Sequence, residues 1–317
     1  MSDQALSTPA PRLPSIPGVA IMLVALSVGF ALASPGFLTG GNISNILVQS
    51  VLLLLLALPM TLIIMTEGLD LSMGAVLTLA SLVLAIILVT TKSLMLGLAG
   101  AVAVGVAFGL LNGWLVSVLA IPPFVATLGT MGAAQGLALI VSDGQSVVGI
   151  PRYVRQVYSG DVMGIPTPVL IGAGFYALFH VLLYHTRFGT YICALGGNRD
   201  ALTLAGVKWR RLLIAVYALG GAMAGVAALL MTARMNAGHP TAAIGMEFDA
   251  IAAVALGGTS FEKGNGWIFG TLMGVVTVGI LRNGLNLMAV PSSVQVACIG
   301  GLVIFALFLD SIRGHKS

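Results

Sequence analysis

Apolar residues in this chain occur in long, unbroken runs separated by short polar or glycine-rich stretches. A helix that crosses a bilayer needs about 20 apolar residues, and most of these runs approach that length. The runs do not alternate apolar and polar residues as barrel strands do, so the pattern predicts helices. We predict an all-α integral membrane protein with about ten transmembrane helices, at residues 18–33, 43–65, 72–89, 94–119, 123–141, 166–184, 212–231, 249–256, 267–281 and 294–309.

Two of these runs, 249–256 and 18–33, differ from an ordinary membrane span. The run 249–256 is too short to cross unaided, so we predict a short or re-entrant helix. Asp249 is predicted to cap this helix, and the alternative is that Glu247 and Asp249 contact a substrate or partner. The run 18–33 ends in Ala-Leu-Ala, which is typical of a signal-peptide cleavage site. Because Pro35 follows closely and the rest of the chain is also apolar, we interpret this run as an uncleaved first span.

The flanking segments are polar. Residues 1–17 contain four prolines and are predicted to form a disordered cytoplasmic tail. Residues 18–310 form the predicted membrane domain, and 311–317 a short carboxyl-terminal tail.

Composition supports a lipid environment, since 58% of residues are hydrophobic and only 8% are charged, against about 25% in soluble domains. The net charge of +4 is explained by basic residues in cytoplasmic loops and does not indicate nucleic-acid binding. The loop 186–211 is the most basic, with five basic residues and one acid: Arg187, Arg199, Lys208, Arg210, Arg211 and Asp200. We therefore predict that this loop and both termini are cytoplasmic, and that the loop 142–165 lies outside.

Catalytic motifs are missing from the sequence. No lysine follows a glycine, so a phosphate-binding GxxxxGK[ST] loop is excluded, and HExxH and GxSxG do not occur. Cys193 and Cys298 are far apart and predict neither a disulfide nor a zinc site. Acids and bases are scarce within the runs, which argues against a proton relay. We predict a non-enzymatic pore without a metal or cofactor of its own, driven by a partner that hydrolyses nucleotide.

Amides within the runs are candidates for a substrate path. Asn45 and Gln49 lie four residues apart, on one face of the second helix. The single polar cases are Asn112, Gln135, His180 and Gln295, and of all these Asn45, Gln49, Asn112 and Gln135 are the candidate path residues. Neutral amides suit an uncharged, hydroxylated solute. The alternative for each residue is an interhelical hydrogen bond, which stabilises a membrane protein by about 0.6–2 kcal/mol.

Glycines four residues apart occur at 105, 109 and 113 and again at 266, 270 and 274. Each set shares one helix face, where missing side chains let a second helix approach closely. We interpret them as packing positions within one subunit, with a subunit interface as the alternative.

The segment Gly196–Val207, GGNRDALTLAGV, predicts a short surface helix in the basic loop. Asn198 is a suitable N-cap, and Gly206 a suitable stop. A helix of about two turns needs a partner to be stable, so the alternatives are a docking element and a simple surface turn. Leu202 and Ala205, three residues apart, are predicted to face a partner together.

These residues resemble the membrane permeases of bacterial ABC importers for ribose, xylose, arabinose and related sugars. The similarity runs from about 42 to 310 and rests on four ordered motifs: GLDLSMGAVL at 68–77, GGNRDALTLAGV at 196–207, FDAIAAVALGGTSFEKGNG at 248–266 and NGLNLMAV at 283–290. The resemblance implies a multi-pass permease of the inner membrane that works by alternating access and forms half of a dimeric pore, most simply a homodimer. Its implied partners are a cytoplasmic subunit that binds ATP-Mg, a periplasmic sugar-binding protein and lipid.

The resemblance also implies two groups of site residues. The ATPase-coupling group is Gly196, Gly197, Asn198, Arg199, Asp200, Ala201, Leu202, Ala205 and Gly206. The second cytoplasmic turn is Gly257, Gly258, Thr259 and Ser260. Two departures from the family pattern are the charged pair Glu262-Lys263 after this turn, and Met73 in place of valine. The alternative function is a secondary carrier driven by an ion gradient, which also uses broken helices.

Overall fold

The computed structural model describes the backbone of residues 18–260 and 264–314, with side chains as far as Leu302 and at Ile304. The predictions made for the tail 1–17, for Glu262 and Lys263 and for 315–317 lie outside these residues. Within them the chain forms thirteen helices: α1 Gly18–Ala33, α2 Gly40–Met65, α3 Met73–Thr91, α4 Leu94–Ser117, α5 Pro123–Val141, α6 Arg152–Ser159, α7 Thr167–Tyr184, α8 Arg187–Gly197, α9 Arg199–Leu204, α10 Trp209–Met235, α11 Met246–Leu256, α12 Ile268–Leu287 and α13 Ser292–Gly314. Strands β1 Asp161–Val162 and β2 Ile165–Pro166 form an antiparallel hairpin.

Each of the ten predicted spans coincides with one helix, so the prediction of an all-α integral membrane protein is confirmed. Among the described residues, seven helices are long and apolar enough to cross a bilayer: α2, α3, α4, α5, α7, α10 and α12. Helix α1 has 16 residues and α11 only 11, while α13 continues to Gly314, past the predicted end at 309.

Two helices and the hairpin were not predicted. Helix α6 has eight residues, and its buried Val154 packs into a small core between α3 and α10. Helix α8 begins where the Thr186 hydroxyl accepts a hydrogen bond from the Gly189 N–H, at 3.4 Å. Both helices are too short to be stable alone, and tertiary packing, which the sequence pattern does not display, stabilises them.

Helix α2 lies at the centre of the bundle. In its most apolar window 83% of the residues are buried, against 22% for α4 and for α7. A helix that is apolar on all sides and enclosed by other helices is a core element. The exposed apolar faces of α4, α5 and α7 are the surfaces that meet lipid.

Glycines bring the helix backbones together. A side chain on Gly105 or Gly221 would overlap the backbone of the other, which joins α4 to α10. Gly270 lies in the same way against Gly257, and Gly274 against Ala253, which joins α12 to α11. The interpretation of these glycines as packing positions within one subunit is confirmed.

The bundle has two ends, which we name by the helices found there. Helices α8 and α9 lie at one end (the α9 end). Helix α7 runs from there to the hairpin and α6 at the opposite end (the α6 end). Helix α10 also runs from the α9 end to the α6 end. Just beyond its last residue, Gly238 exchanges two backbone hydrogen bonds with Val147, in the loop 142–165. The structure therefore separates the loop 142–165 from the loop 186–211, as the sequence predicted.

Helix α11 begins inside the bundle. After α10 the chain turns back at Asn236, which has a left-handed backbone (φ 53°). The Ala243 N–H then donates to the Thr78 hydroxyl at 3.2 Å, and Gly245 (φ 89°) precedes the first turn. The buried Glu247 lies against Gly74, the second residue of α3. From this level α11 continues to the α9 end, so the predicted short helix is confirmed.

Candidate functional site

A polar cavity of about 350 Å³ lies in the half of the bundle nearer the α6 end. Helices α2, α10, α11, α12 and α13 surround it. Its polar side chains are Gln49, Ser50, Arg234, Asp249, Arg282, Asn286 and Gln295. Small-molecule sites in proteins typically occupy about 300–1,000 Å³ and combine an apolar wall with a few polar groups, as this cavity does.

The amides of the cavity are partly engaged with one another. Gln49 donates its Nε2 to the Asn45 Oδ1 at 3.2 Å. Gln295 donates to the Asn286 Oδ1 at 2.8 Å and to the Val290 carbonyl at 2.9 Å. These contacts orient the side chains but leave the carbonyl oxygens of Gln49 and Gln295 and the Asn286 Nδ2 without a partner among the described residues.

An ion pair closes the wall between α11 and α12. The Arg282 guanidinium donates to an Asp249 carboxylate oxygen, with the arginine side chain 41% exposed and the aspartate 11% exposed. The Arg282 Nε and the Ser50 hydroxyl are buried and have no hydrogen-bond partner among the described residues. Asp249 was predicted to cap its helix, and this is corrected: Gly245 occupies the N-cap, and the carboxylate pairs with Arg282.

The four predicted path residues do not converge. Asn45 and Gln49 lie together, and Gln49 lines the cavity. Asn112 is buried elsewhere, where it donates to the Ser72 hydroxyl at 2.8 Å and accepts from the Thr130 hydroxyl at 2.7 Å. Gln135 is on α5, a helix that contributes nothing to the cavity wall.

Sequence reasoning missed the charged members of the cavity. Arg234 and Arg282 lie just beyond the ends of the predicted runs 212–231 and 267–281, and a charge that close to an apolar run is itself a signal of function. Arg282 lies near the end of α12, which closes at Leu287, and a lipid-facing arginine there would be costly, so it needs a polar partner. The identity of that partner, 33 residues earlier in the chain, required the tertiary structure.

The α9 end carries the predicted docking segment. The Asn198 side chain accepts a hydrogen bond from the Ala201 N–H at 2.9 Å, which confirms it as the N-cap of α9. Gly206 has φ 75° and ends the segment, as predicted. Burial raises the pKa of the nearby Cys193 thiol on α8, so this thiol stays protonated near neutral pH.

The predicted orientation of Leu202 is wrong. Its side chain is 5% exposed and packs into the protein's own core, whereas Leu204 is 90% exposed. The two residues point in different directions because residues two apart on a helix do not share a face. A shallow, largely apolar groove remains between α8 and α9, lined by Ala194, Gly197, Asn198, Ala201, Leu202 and Ala205.

Aromatic stacking holds the segment to the start of α10. The Arg199 guanidinium lies 4.7 Å from the Trp209 ring centre, and that of Arg210 lies at 5.5 Å. Such cation–π contacts are worth about 0.5–1 kcal/mol at exposed sites. Arg199 therefore has a partner within the chain.

The second predicted turn follows α11 and adjoins the docking segment. The Trp267 indole donates to the Gly257 carbonyl at 2.6 Å, and Gly258 has φ 82°. Thr259 is buried, and the Ser260 N–H donates to the Asn265 carbonyl at 2.8 Å. The next described residue, Gly264, packs against the end of α8. The two predicted groups of coupling residues therefore lie close together at the α9 end.

Comparison with known proteins agrees with this architecture. The family described as "Branched-chain amino acid transport system / permease component" matches residues 42–307. No solved structure matches the chain.

Curated relatives match over nearly their full length. The ribose import permease of Escherichia coli K12 is 38% identical over 297 residues, which cover 91% of this chain and 92% of that protein. The ribose import permease of Bacillus subtilis 168 is 38% identical over 295 residues, covering 92% and 90%. The L-arabinose ABC transporter permease of Azospirillum brasilense is 32% identical over 299 residues, covering 94% and 88%. With this match and its apolar helix bundle, the chain belongs to the branched-chain amino acid transport system / permease component family and is a multi-pass membrane permease.

Proposed function

We propose that this chain is the transmembrane subunit of an ATP-driven importer that moves a monosaccharide or similar small polyol across the bacterial inner membrane by alternating access. A second permease subunit, most simply another copy, completes the pore. A cytoplasmic subunit binds ATP-Mg and drives the cycle, and a periplasmic binding protein delivers the solute. Both termini and the α9 end face the cytoplasm. The sugar import functions named for the relatives support this proposal.

One observation carries the proposal: α11 connects the polar cavity to the surface at the α9 end. Asp249, in its first turn, lines the cavity, and Gly257, at its other end, begins the second turn. An 11-residue helix is about 16 Å long and moves as a rigid unit. A shift of the second turn imposed by an ATPase would therefore reach the cavity wall directly.

Docking of the ATPase rests on the groove between α8 and α9 and on the neighbouring Leu204. The exposed Leu204 gains about 1.5–3 kcal/mol if a partner covers it fully. The segment Gly196–Gly206 and the turn Gly257–Ser260 would meet the partner together, because Gly264 joins them at the end of α8.

The ion-driven alternative needs buried groups that exchange protons or bind cations. Buried carboxylates are present at Asp70, Glu247 and Asp249, so the interior is less depleted of acids than the sequence suggested. Asp70 accepts from Ser72 and Asp249 from Arg282, which favours structural roles for these two acids. One Glu247 oxygen accepts from the Gly245 N–H, whereas its Oε2 is buried without a partner among the described residues.

Reconstitution distinguishes the two energy sources. Proteoliposomes that contain the permease and its ATPase, supplied with binding protein and labelled ribose, allose or arabinose, should accumulate a sugar only when ATP is present on the ATPase side. A protonophore or sodium ionophore should leave uptake unchanged. If uptake occurs without ATP and an ionophore abolishes it, the proposal is contradicted and the chain is a secondary carrier driven by an ion gradient.

A further inference from the structure

The polar cavity carries an inference that rests on the proposed function and deepens it. We propose that this cavity is a sugar-binding site within the permease itself, built to hold one neutral monosaccharide after delivery. Arg282, Asn286, Gln295 and Gln49 are its ligand-contacting residues. The site would stand in the half of the membrane that faces the binding protein.

The free polar atoms of the cavity match a hydroxylated ligand. The Gln49 and Gln295 carbonyl oxygens are acceptors and the Asn286 Nδ2 is a donor, and their other atoms are used within the chain. A sugar hydroxyl donates and accepts at once, so alternating donors and acceptors suit it better than they suit an aliphatic side chain.

Two buried atoms in the wall lack partners in this arrangement. The Arg282 Nε on α12 and the Ser50 hydroxyl on α2 are both enclosed, and Ser50 is 94% buried. Native proteins rarely leave buried donors unpaired, so such atoms call for an explanation. A ligand hydroxyl that separates α2 and α12 slightly as it enters would supply the missing partners.

The charge of the cavity favours a neutral ligand. Asp249 and Arg282 neutralise each other, because they form an ion pair in the wall. Arg234 is the remaining charge of the lining, and it stands at the exposed end of α10. Water and salt screen a charge in that position. Away from Arg234, the lining is therefore polar without net charge, which suits a neutral ligand.

The apolar lining gives the ligand a second contact. Leu52, Leu53, Met231 and Val278 supply the apolar part of the lining. A sugar ring has C–H faces as well as hydroxyl edges, and such a wall accommodates its faces. A volume of about 350 Å³ admits one monosaccharide together with a few waters.

The test measures sugar binding directly, without the binding protein. The permease with its ATPase is placed in lipid nanodiscs, and saturation-transfer NMR is recorded with millimolar ribose, allose, arabinose, leucine and glucuronate. At least one neutral sugar should bind, and more strongly than leucine or glucuronate. Absence of sugar binding, or preference for leucine or glucuronate, would overturn the inference.

Three variants locate the site. Arg282→Lys keeps a cation beside Asp249 but removes the Nε donor, and it should weaken sugar binding by about tenfold. Asn286→Leu should weaken it by about fivefold, and Asn286→Gln, which restores an amide, should recover most of the loss. Gln156→Leu removes an exposed amide of α6 outside the cavity and is the matched control.

The Asn286 variants decide the question if Arg282→Lys fails to fold, because Asn286 is exposed and its replacement disturbs little packing. Sugar binding that is equal in wild type, Asn286→Leu and Gln156→Leu would place the ligand elsewhere. ATP-driven uptake is measured separately, so normal uptake without a cavity site would refute this inference and leave the proposed function standing.

Discussion

Gly196, near the end of α8, lies directly against Gly264, which precedes α12. A side chain on Gly196 would place its Cβ 2.7 Å from the Gly264 Cα and would also strike the Met65 carbonyl at the end of α2. Three segments that are distant in sequence therefore meet at a point where only glycine fits. This point joins the docking segment to the turn that follows α11.

The first prediction concerns that contact. Gly196→Ala should separate α8 from the turn at 264 and reduce ATP-driven uptake strongly, because backbone atoms on both sides have no room to shift. Gly144→Asn, in the loop 142–165 far from the docking segment, is the control, since Gly144 has open space and asparagine tolerates its left-handed backbone. Uptake assays on equal amounts of inserted protein make the comparison. Normal uptake by Gly196→Ala would show that the contact is loose.

The second prediction separates the two leucines of α9. Leu204→Asp should leave the permease stable but weaken ATPase copurification, because Leu204 is 90% exposed. Leu202→Asp places a charge in the core and should lower the thermal unfolding temperature of the isolated permease. Full ATPase retention by Leu204→Asp would exclude this residue from the interface.

The third prediction concerns the Asp249–Arg282 pair. Arg282→Met leaves a largely buried carboxylate unpaired and should cost about 2–3 kcal/mol of stability. Asp249→Asn leaves a partly exposed guanidinium and should cost about 1 kcal/mol or less. The double variant should be more stable than Arg282→Met alone. Thermal unfolding in detergent measures all three, and additive losses would show that the pair does not interact.

The fourth prediction distinguishes Gln49 from Asn112, two amides that were both predicted to line the substrate path. Gln49→Leu should reduce uptake while the protein still assembles, because Gln49 lines the polar cavity. Asn112→Leu should instead lower the amount of folded protein, since it removes both hydrogen bonds that this buried amide makes with the Ser72 and Thr130 hydroxyls, at about 1–3 kcal/mol. Size-exclusion profiles report folding, and uptake per folded molecule reports transport. Reversed effects would place the path at Asn112.

The fifth prediction uses a natural cysteine to fix the orientation. Cys193 is exposed on α8, so a membrane-impermeant maleimide should reach it only from the cytoplasmic side, in inverted vesicles. Because burial raises the pKa of this thiol, labelling should be slow at neutral pH and faster in more alkaline buffer. Cys193→Ser is the control for labelling of Cys298. Labelling of Cys193 in intact cells with sealed membranes would reverse the proposed orientation.

The apolar pattern by itself determined the class of protein and the position of every main helix. Lipid offers no hydrogen bonds, so a spanning segment must be long and apolar, and its backbone N–H and C=O groups must bond to one another. These properties depend only on the residues of the segment itself, so they can be recognised in the sequence. The same holds for the Asn198 cap and for the short helix α11, whose length and first-turn acids are local features.

The tertiary structure alone decided which residues share a site. Leu202 and Leu204 are equally apolar, and only the packing of α8, α9 and α10 buries one and exposes the other. Asn112 and Gln49 are both neutral amides, yet one completes a buried hydrogen-bond cluster and the other lines a cavity. Asp249 pairs with Arg282 because the glycines of α12 allow α11 to pack closely against α12. Such pairings depend on contacts between distant segments, which local sequence patterns do not specify.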